Sequence, residues 1–554
     1  MPKKKKITRR VSPKSGDPAD LTFFSNLFSG IAEEMGVILS RTAYSPNIKE
    51  RRDLSCAIFD GKGKLIAQAA HIPVHLGSMQ MSAQAVLATF DSLEEGDVVI
   101  LNDPFAGGTH LPDITMMTPV MNPVQKPGKK KSPRPFVYLV SRAHHADVGG
   151  ASPGSMPIAR EIFEEGLRLP PVKLRDGGVL NQGVLDILTS NVRTPEERMG
   201  DLRAQLASHA GGTKRMSEVL LKYGSLFISA RLNELHGYAR DLMKAFISKI
   251  PNGTYIFEDF LEDDGFSARP LRIRVNVFVK GRRVVVDFKG SDPACSGNLN
   301  AVESITWSSV YYCFLSFLVS SLKGKTDPFL NAGCFDPIAV LAPEGSIVNA
   351  PPGSAVGGGN VETSQRIVDV VFGAMAKALP NLVPAASQGT MNNLTLGGID
   401  PKTNRPFSYY ETIAGGSGGR PTKNGVDGVP NHMTTTMNTP VEALEFSYPL
   451  RVERYKLAPN TGGKGKYQGG CGIHRDIRVL SDVRGTLISE RRKIAPYGLH
   501  GGKPGKVGMN QLIRKGGRQK LPGKTELDLK AGDIVRLKTP GGGGWGQPNS
   551  KRKK

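Results

Sequence analysis

The sequence predicts an α+β protein, mixed and turn-rich, with several sheets, packed helices and a β-rich C-terminal part. Three observations carry this. The 65 glycines and 39 prolines among 554 residues break the chain into many turns, so strands and loops should outnumber long helices. A few segments repeat apolar residues at helical spacing. Others are short β-branched runs bounded by Gly-rich turns.

Taken in order, residues 1–19 form a basic tail expected to be disordered. Asp20 stands where it can cap a helix, "LTFFSNLFSGIAEEMGVILSRTA", in which Phe23, Leu27, Ile31, Met35 and Ile38 mark the apolar stripe. "DLSCAIFDGKGKLIAQ" reads as a hairpin around a Gly-rich turn. A helix over 78–90 and a short strand, "DVVIL", follow. "ITMMTPVM" and "FVYLVSRA" form a second hairpin, joined through a basic insertion at 122–135. Residues 213–250 read as a long helical region. Strands follow in "LRIRVNVFV" and "RRVVVDFKG", then helices over 304–322 and 365–379. From about 400 the chain is Gly-rich and β-like. These readings divide it into an N-terminal domain (20–212), a central α/β region (213–345), a Gly-rich C-terminal region (346–548) and a basic tail (549–554).

The net charge of +23 is concentrated at three places. The first fifteen residues hold seven Lys/Arg, the closing "KRKK" four and the "KPGKKKSPR" loop five. Without them the remainder is only mildly basic. Like-charge runs usually stay solvated, and no helix-turn-helix, zinc-finger or aromatic-basic motif accompanies them, so nucleic-acid binding is not expected. The five cysteines form no C-x-x-C pair, which speaks against a thiolate zinc site and for a reducing compartment. The basic N-terminus leads into no apolar signal segment. The uncharged run from Ser304 to Leu322 carries five serines and two tyrosines, more in keeping with a buried helix than a membrane span. A soluble, cytoplasmic protein is expected.

Several glycine motifs imitate nucleotide or nucleophile loops. "GKT" at 324–326 and 523–525 lacks the glycine five positions earlier that a phosphate loop needs. "GGGGWG" (541–546) is followed by no helix to present amides to a pyrophosphate. "GGSGG" (415–419) is followed by "RPTKNGVDG" rather than a helix, so Ser417 is no nucleophile elbow.

The histidines say more. His110 and Asp113 precede the first strand of the second hairpin, while His144 and His145 follow the second strand thirty-four positions later. Antiparallel pairing brings these two ends together. Adjacent strand residues face opposite sides, so one of His144 and His145 points inward. Asp53, at the mouth of the first hairpin, adds a carboxylate. Two imidazoles and two carboxylates suit one divalent metal: zinc, manganese or iron. The alternative is a set of strand-end residues satisfying backbone amides. His71 and His75, in "HIPVHLG", read as packing or supporting residues.

Several long motifs in register, "SPNIKERRDLSCAIFD", "NDPFAGGTHLPDITMMTPV", "RAHHADVGGASPGSMP" and "NTPVEALEFSYPLRVERYKL" among them, resemble the hydantoinase B family. That family includes N-methylhydantoinase B subunits, the C-terminal half of ATP-dependent 5-oxoprolinase and acetone carboxylase alpha subunits. The resemblance implies a hetero-oligomer with a hydantoinase A-type subunit that binds and hydrolyses ATP, in keeping with the missing nucleotide loop here. It implies a metal held by Asp53, His110, Asp113 and His144, with His145 as the substitute for His144. The implied reaction opens a small cyclic amide, hydantoin or 5-oxoproline-like, after the partner phosphorylates its carbonyl oxygen, by means of a metal-bound water. Glu442 and Glu445 are candidate acid or base groups, or ion-pair partners of Arg451 and Arg454. Two other functions are weighed: an acetone-carboxylase-like alpha subunit joining carbon dioxide to a phosphorylated enol, and a basic interaction protein with a vestigial site.

Overall fold

His144 and Asp113 belong to one sheet, Asp53 immediately precedes another of its strands, and the fold is best followed from it. The computed structural model describes residues 18–69, 72–123, 134–324 and 329–548. Both basic tails, most of the 122–135 insertion and His71 lie outside them. Helix α1 (Pro18–Thr42) and a single turn, α2 (Pro46–Lys49), lead into β1 (Leu54–Asp60) and β2 (Leu65–Gln68). Then come α3 (His75–Thr89), β3 (Val98–Leu101), β4 (Asp113–Val120), β5 (Val137–His144), β6 (Val172–Asp176) and β7 (Val179–Leu180). They form one antiparallel seven-stranded sheet in the order β2-β1-β5-β4-β3-β6-β7. Both expected hairpins are present, and β5 of the second also pairs with β1 of the first.

The expected helix α1 forms, but on a different face. It begins at Pro18, with Asp20 inside its first turn rather than capping it. Its buried stripe is Leu21, Phe24, Phe28, Ile31, Met35 and Leu39, while Phe23 is 49% exposed. A row taken every four residues advances about 40° per step, so the run from Phe23 spirals off the face that a mixed three-and-four spacing keeps. Helices α4 (Gln182–Ser190), α5 (Pro195–Tyr223) and α6 (Ser225–Ile247) follow. The helical region expected from 213 therefore starts at Pro195, where proline and two glutamates in the first turn favour a helix start. The expected boundary at 212–213 falls inside α5.

The second sheet joins β8 (Gly253–Leu261), β9 (Leu271–Lys280), β10 (Arg283–Asp287) and β11 (Ile338–Leu341). Between β10 and β11 runs α7 (Glu303–Leu322), long and apolar enough to cross a membrane. It instead buries Ile305, Val310, Phe314 and Leu318 against α3 and the later helix α8 (Ser364–Met375). The strand-rich C-terminal part holds β12 (Asn393–Asp400), β13 (Arg405–Thr412), α9 (Val441–Ser447), β14 (Leu450–Ala458), β15 (Gly472–Val479) and β16 (Val483–Ile488). It ends with β17 (Met509–Arg514), β18 (Gly517–Leu521), β19 (Lys524–Leu529) and β20 (Ile534–Lys538). These make two further sheets, β13-β12-β16-β19 and β14-β15-β20-β17-β18. The fold is α+β with packed helices.

The glycine motifs that imitate functional loops are packing devices. "GGSGG" and "GGGGWG" lie side by side, with Gly419 N–H donating to the Gly543 carbonyl at 2.8 Å and Gly416 N–H to Pro540 at 3.1 Å. A Cβ on Gly542 would stand 2.0 Å from the Ser417 carbonyl oxygen, and one on Gly416 1.9 Å from that of Gly470. Only hydrogen fits between these backbones.

Two predictions follow from the packing. Gly542→Ala should destabilise the fold by roughly 3 kcal/mol or more, whereas Gly30→Ala in α1, with open space around it, should be neutral or stabilise by about 1 kcal/mol. Thermal and chemical denaturation of the pair measure this, and equal effects would contradict the close backbone packing. The second concerns His209 of α5, buried between Ser141 Oγ (2.8 Å) and Thr118 Oγ1 (2.8 Å). Burial lowers its pKa from 6.5 to about 3. The unfolded chain takes up this proton near 6.5 and the folded one only near 3. The stability His209 confers is thus complete above pH 6.5 and lost as pH falls toward 3. His209→Gln should flatten stability against pH across that window.

Candidate metal centre

Strand β5 runs between β1 and β4, and their ends carry the candidate ligands. The register pairs Asp113 with His144, and His144 N–H donates to the Asp53 carbonyl at 3.0 Å. Asp53, His144 and Asp113 thus form a row across three strand ends. One rung further along, on the same face, lie Ser55, Arg142 and Thr115. Helix α3 covers this polar face with polar groups. Arg142 donates to Thr115 Oγ1 (2.8 Å), Ser78 Oγ (2.6 Å) and Ser82 Oγ (2.7 Å). His75 Nδ1 lies 2.8 Å from Ser55 Oγ.

His110 reaches this row through a stitched turn. Asp103 Oδ1 accepts the Phe105 N–H, and Gly107 takes a left-handed φ of 79°. Asn102 donates to the Leu111 and Leu167 carbonyls (2.8 and 2.9 Å) and accepts from the Leu169 N–H (2.7 Å). The Asp113 N–H then donates to the His110 carbonyl at 3.1 Å, folding the imidazole back over the start of β4.

His110 Nε2, His144 Nδ1 and Asp113 Oδ1 converge. The two nitrogens are 3.2 Å apart, and each is 3.3 Å from the carboxylate oxygen. Donors about 2.1 Å from a shared divalent ion stand roughly 3.0–3.4 Å apart, so the triangle has the right size. The outer nitrogens, His110 Nδ1 and His144 Nε2, are buried with no hydrogen-bond partner among the described residues. Three buried groups that can together hold a divalent metal are therefore present. Two imidazoles and one carboxylate suit zinc, manganese or iron better than soft copper(I).

Burial and charge act against each other here. Burial alone would raise the Asp113 carboxyl, but the neighbouring His110 and hydrogen bonds from the histidines hold it well below the usual range. Burial lowers His144 and His75 despite Asp113 beside them. Asp113 Oδ2, turned away from the triangle, is fixed by Thr109 Oγ1 and by His75 Nε2 at 3.4 Å. His75, read from sequence as a supporting residue, orients the carboxylate. Burial raises Asp53 against the pull of His144 and Arg51. Its carboxylate is not one of the three converging groups, and Arg51 Nη2 stands 3.8 Å from it.

His145 faces the other side of the sheet, its Nε2 3.1 Å from Gln205 Oε1. The alternation of strand residues thus selects His144 for the cluster. Glu442 and Glu445 are not brought to it: Glu442 is exposed, and Glu445 accepts the Val452 N–H at 2.9 Å. The ion pairs weighed for them are not formed either, since Arg451 pairs with Glu453 and Arg454 with Asp476.

Other residues are present that the sequence pattern does not reveal. Tyr410 of β13 stacks on His144, with ring centres 4.5 Å apart, and the Arg51 guanidinium lies over Tyr410 at 4.9 Å. The Tyr410 hydroxyl donates to Asn393 Oδ1 at 3.1 Å, and Asn393 Nδ2 donates to Glu362 Oε1 at 2.8 Å. Glu362 is fully buried in a π-helical turn, Gly359–Thr363, and burial with nearby Glu490 pushes its carboxyl up to about 8. These residues lie about 220–300 positions beyond the histidines, so local spacing carries no trace of them. The one local signal is the glycine run before "NVETS".

Comparison with known proteins identifies the family. The family model described as hydantoinase B/oxoprolinase matches residues 17–548. An uncharacterised protein of Methanocaldococcus jannaschii is 43% identical over 529 residues, covering 94% of this chain and 89% of that protein. 5-Oxoprolinase 1 of Arabidopsis thaliana is 38% identical over 97% of this chain, which spans only 42% of that relative's length. The ATP-dependent caprolactamase from Pseudomonas jessenii superposes with a TM-score of 0.87 at 28% identity, covering 96% of this chain and 92% of that one. With the match running along nearly the whole sequence, the chain belongs to the hydantoinase B/oxoprolinase family.

Proposed function

We propose that this chain is the B-type, ring-opening subunit of an ATP-dependent cyclic-amide hydrolase, working in the cytoplasm with an A-type subunit that binds ATP. The observation that carries the reading is the convergence of His110 Nε2, His144 Nδ1 and Asp113 Oδ1 at 3.2–3.3 Å. Membership of the family and likeness to a caprolactamase support the substrate class: a small hydantoin or 5-oxoproline-like ring.

A cyclic amide is a poor electrophile, and phosphorylation of its carbonyl oxygen on the partner makes the carbon reactive. Addition of water to that carbon and cleavage of the carbon–nitrogen bond, with a proton delivered to the leaving nitrogen, open the ring to an acyl phosphate, and a second water then releases the carboxylate and inorganic phosphate. When bound, a zinc, manganese or iron ion would supply Lewis acidity and an acidified water here. His110, Asp113 and His144 would hold that ion, and Asp53, beside Arg51, is the nearby carboxylate outside this set. Thr109 and His75 fix Asp113, and Tyr410 fixes the plane of the His144 ring. Glu362, neutral below about pH 8, holds a proton in the adjoining network. It takes the acid role first sought in Glu442 and Glu445.

Co-expression with an A-type subunit and a panel of cyclic amides tests the whole reading; ATP hydrolysis that no ring stimulates would sink it. Elemental analysis should find about one divalent ion per chain, retained in Glu442→Gln and lost in His110→Ala and His144→Ala. Unchanged metal content in both histidine variants would remove the centre. Turnover of the complex should fall as pH rises through about 8, because the protonated Glu362 is the active form. Glu362→Gln should lower kcat by about a hundredfold or more without changing metal content. A pH profile with the same alkaline limb in that variant would assign the limb elsewhere.

A further inference from the structure

A cavity separate from the metal cluster has the chemistry of an anion site. It measures about 840 Å³ and is bounded by α7, α8 and the segments 381–387 and 417–435. Lys323, Arg420 and Lys423 line it, and no carboxylate does so among the described residues. Among the described residues, none of the three cations has an ion-pair partner either. Arg420 spends its Nε and Nη2 on the Asn424 carbonyl, which holds its turn while leaving the charge uncompensated. The inner part is apolar and aromatic, with Tyr312 and Phe372 on its wall.

One feature inside the cavity calls for a ligand. His432 is 9% exposed and sits in a left-handed backbone conformation, φ 57°. Its Nδ1 lies 3.3 Å from the Tyr312 hydroxyl. Its Nε2 is buried with no hydrogen-bond partner among the described residues. A buried polar nitrogen left without a partner costs free energy that a bound acceptor or donor would recover. An apolar floor, a free imidazole nitrogen and a rim of uncompensated cations suit a small organic molecule carrying one oxyanion.

We infer that this cavity is a binding site for a small organic oxyanion, a phosphorylated or carboxylated compound, held by His432, Arg420, Lys423 and Lys323. The segment carrying His432 also reaches the metal side of the molecule. Thr434 and Thr436 hydroxyls lie 3.0 Å apart, Thr436 Oγ1 is 2.8 Å from Thr412 Oγ1, and Thr412 Oγ1 accepts from Arg51 at 3.0 Å. The Met437 N–H donates to the Arg51 carbonyl at 3.1 Å. Occupancy of the cavity is thereby linked through one short strap to the residue beside Asp53.

The test uses the full chain alone, without a partner subunit or ATP, so it stands or falls apart from the ring-opening reading. Isothermal titration with phenyl phosphate, benzoate and inorganic phosphate compares an apolar phosphate, an apolar carboxylate and a bare anion. Saturable 1:1 binding of phenyl phosphate or benzoate is expected, and the tighter of the two names the anionic group. Lys423→Ala and Lys323→Ala should each weaken it about tenfold. His432→Phe, which keeps the bulk of the ring and removes Nε2, should weaken it as well. Lys402→Ala, in an exposed turn outside the cavity, should leave it unchanged. Absence of saturable binding overturns the inference, as does equal affinity for inorganic phosphate. So does loss of binding in Lys402→Ala equal to that in the cavity variants, which would mean diffuse attraction to a basic surface.

Discussion

The pairing of β5 with both β1 and β4 is the constraint on which the site depends. Three strand ends stand side by side only because residues 137–144 lie between partners about eighty to ninety positions away on one side and about twenty to thirty on the other. Side-chain direction in a sheet has a period of two, so a slip of one residue in either ladder would turn a carboxylate or an imidazole to the opposite face. The register is pinned by what flanks it. Apolar side chains of β1 and β5 pack toward α1 on one face, and a layer of serine, threonine and arginine packs toward α3 on the other. Arg142 is central to that layer: fully buried, it is surrounded by hydroxyls that satisfy it.

Much of this was legible in the sequence where contacts are local. The two hairpins follow from strand runs around turns, and their mouths place His110, Asp113 and His144 together before any coordinates are known. The alternation of a strand says that one of His144 and His145 points inward, and the pairing of His144 with Asp113 decides which. What was not legible depends on chain that returns from far away. Tyr410, Asn393 and Glu362 meet His144 through sheets that local patterns cannot pair, and Asp53 is drawn toward Arg51, a neighbour whose orientation no spacing rule supplies. Glu442 and Glu445 fail for a related reason. Helix α9 is seven residues long and holds Leu444 inward, which turns Glu442 to solvent and leaves Glu445 to cap the strand that follows.

The stripe on α1 teaches a narrower lesson. Phenylalanines stand at 23, 24 and 28, so apolar character marks two adjacent rows, and periodicity alone does not decide between them. Packing against α5 and α6 does, through Phe24 with Tyr223 and Phe227. Phe23 is left to cover the edge of the same aromatic group.

The glycine-to-glycine packing has a consequence for how such proteins diversify. Where main chain abuts main chain, almost every substitution inserts atoms into occupied space, so this region has very little mutational freedom. Ser417 and Gly418 come from it and also form part of the wall of the cationic cavity. Diversification toward a new ligand is therefore channelled away from that wall and onto the side chains that project from the bordering turns and helices, Lys423 and Phe372 foremost. An inflexible partition with replaceable fittings would let the cavity's lining change while the architecture stays fixed.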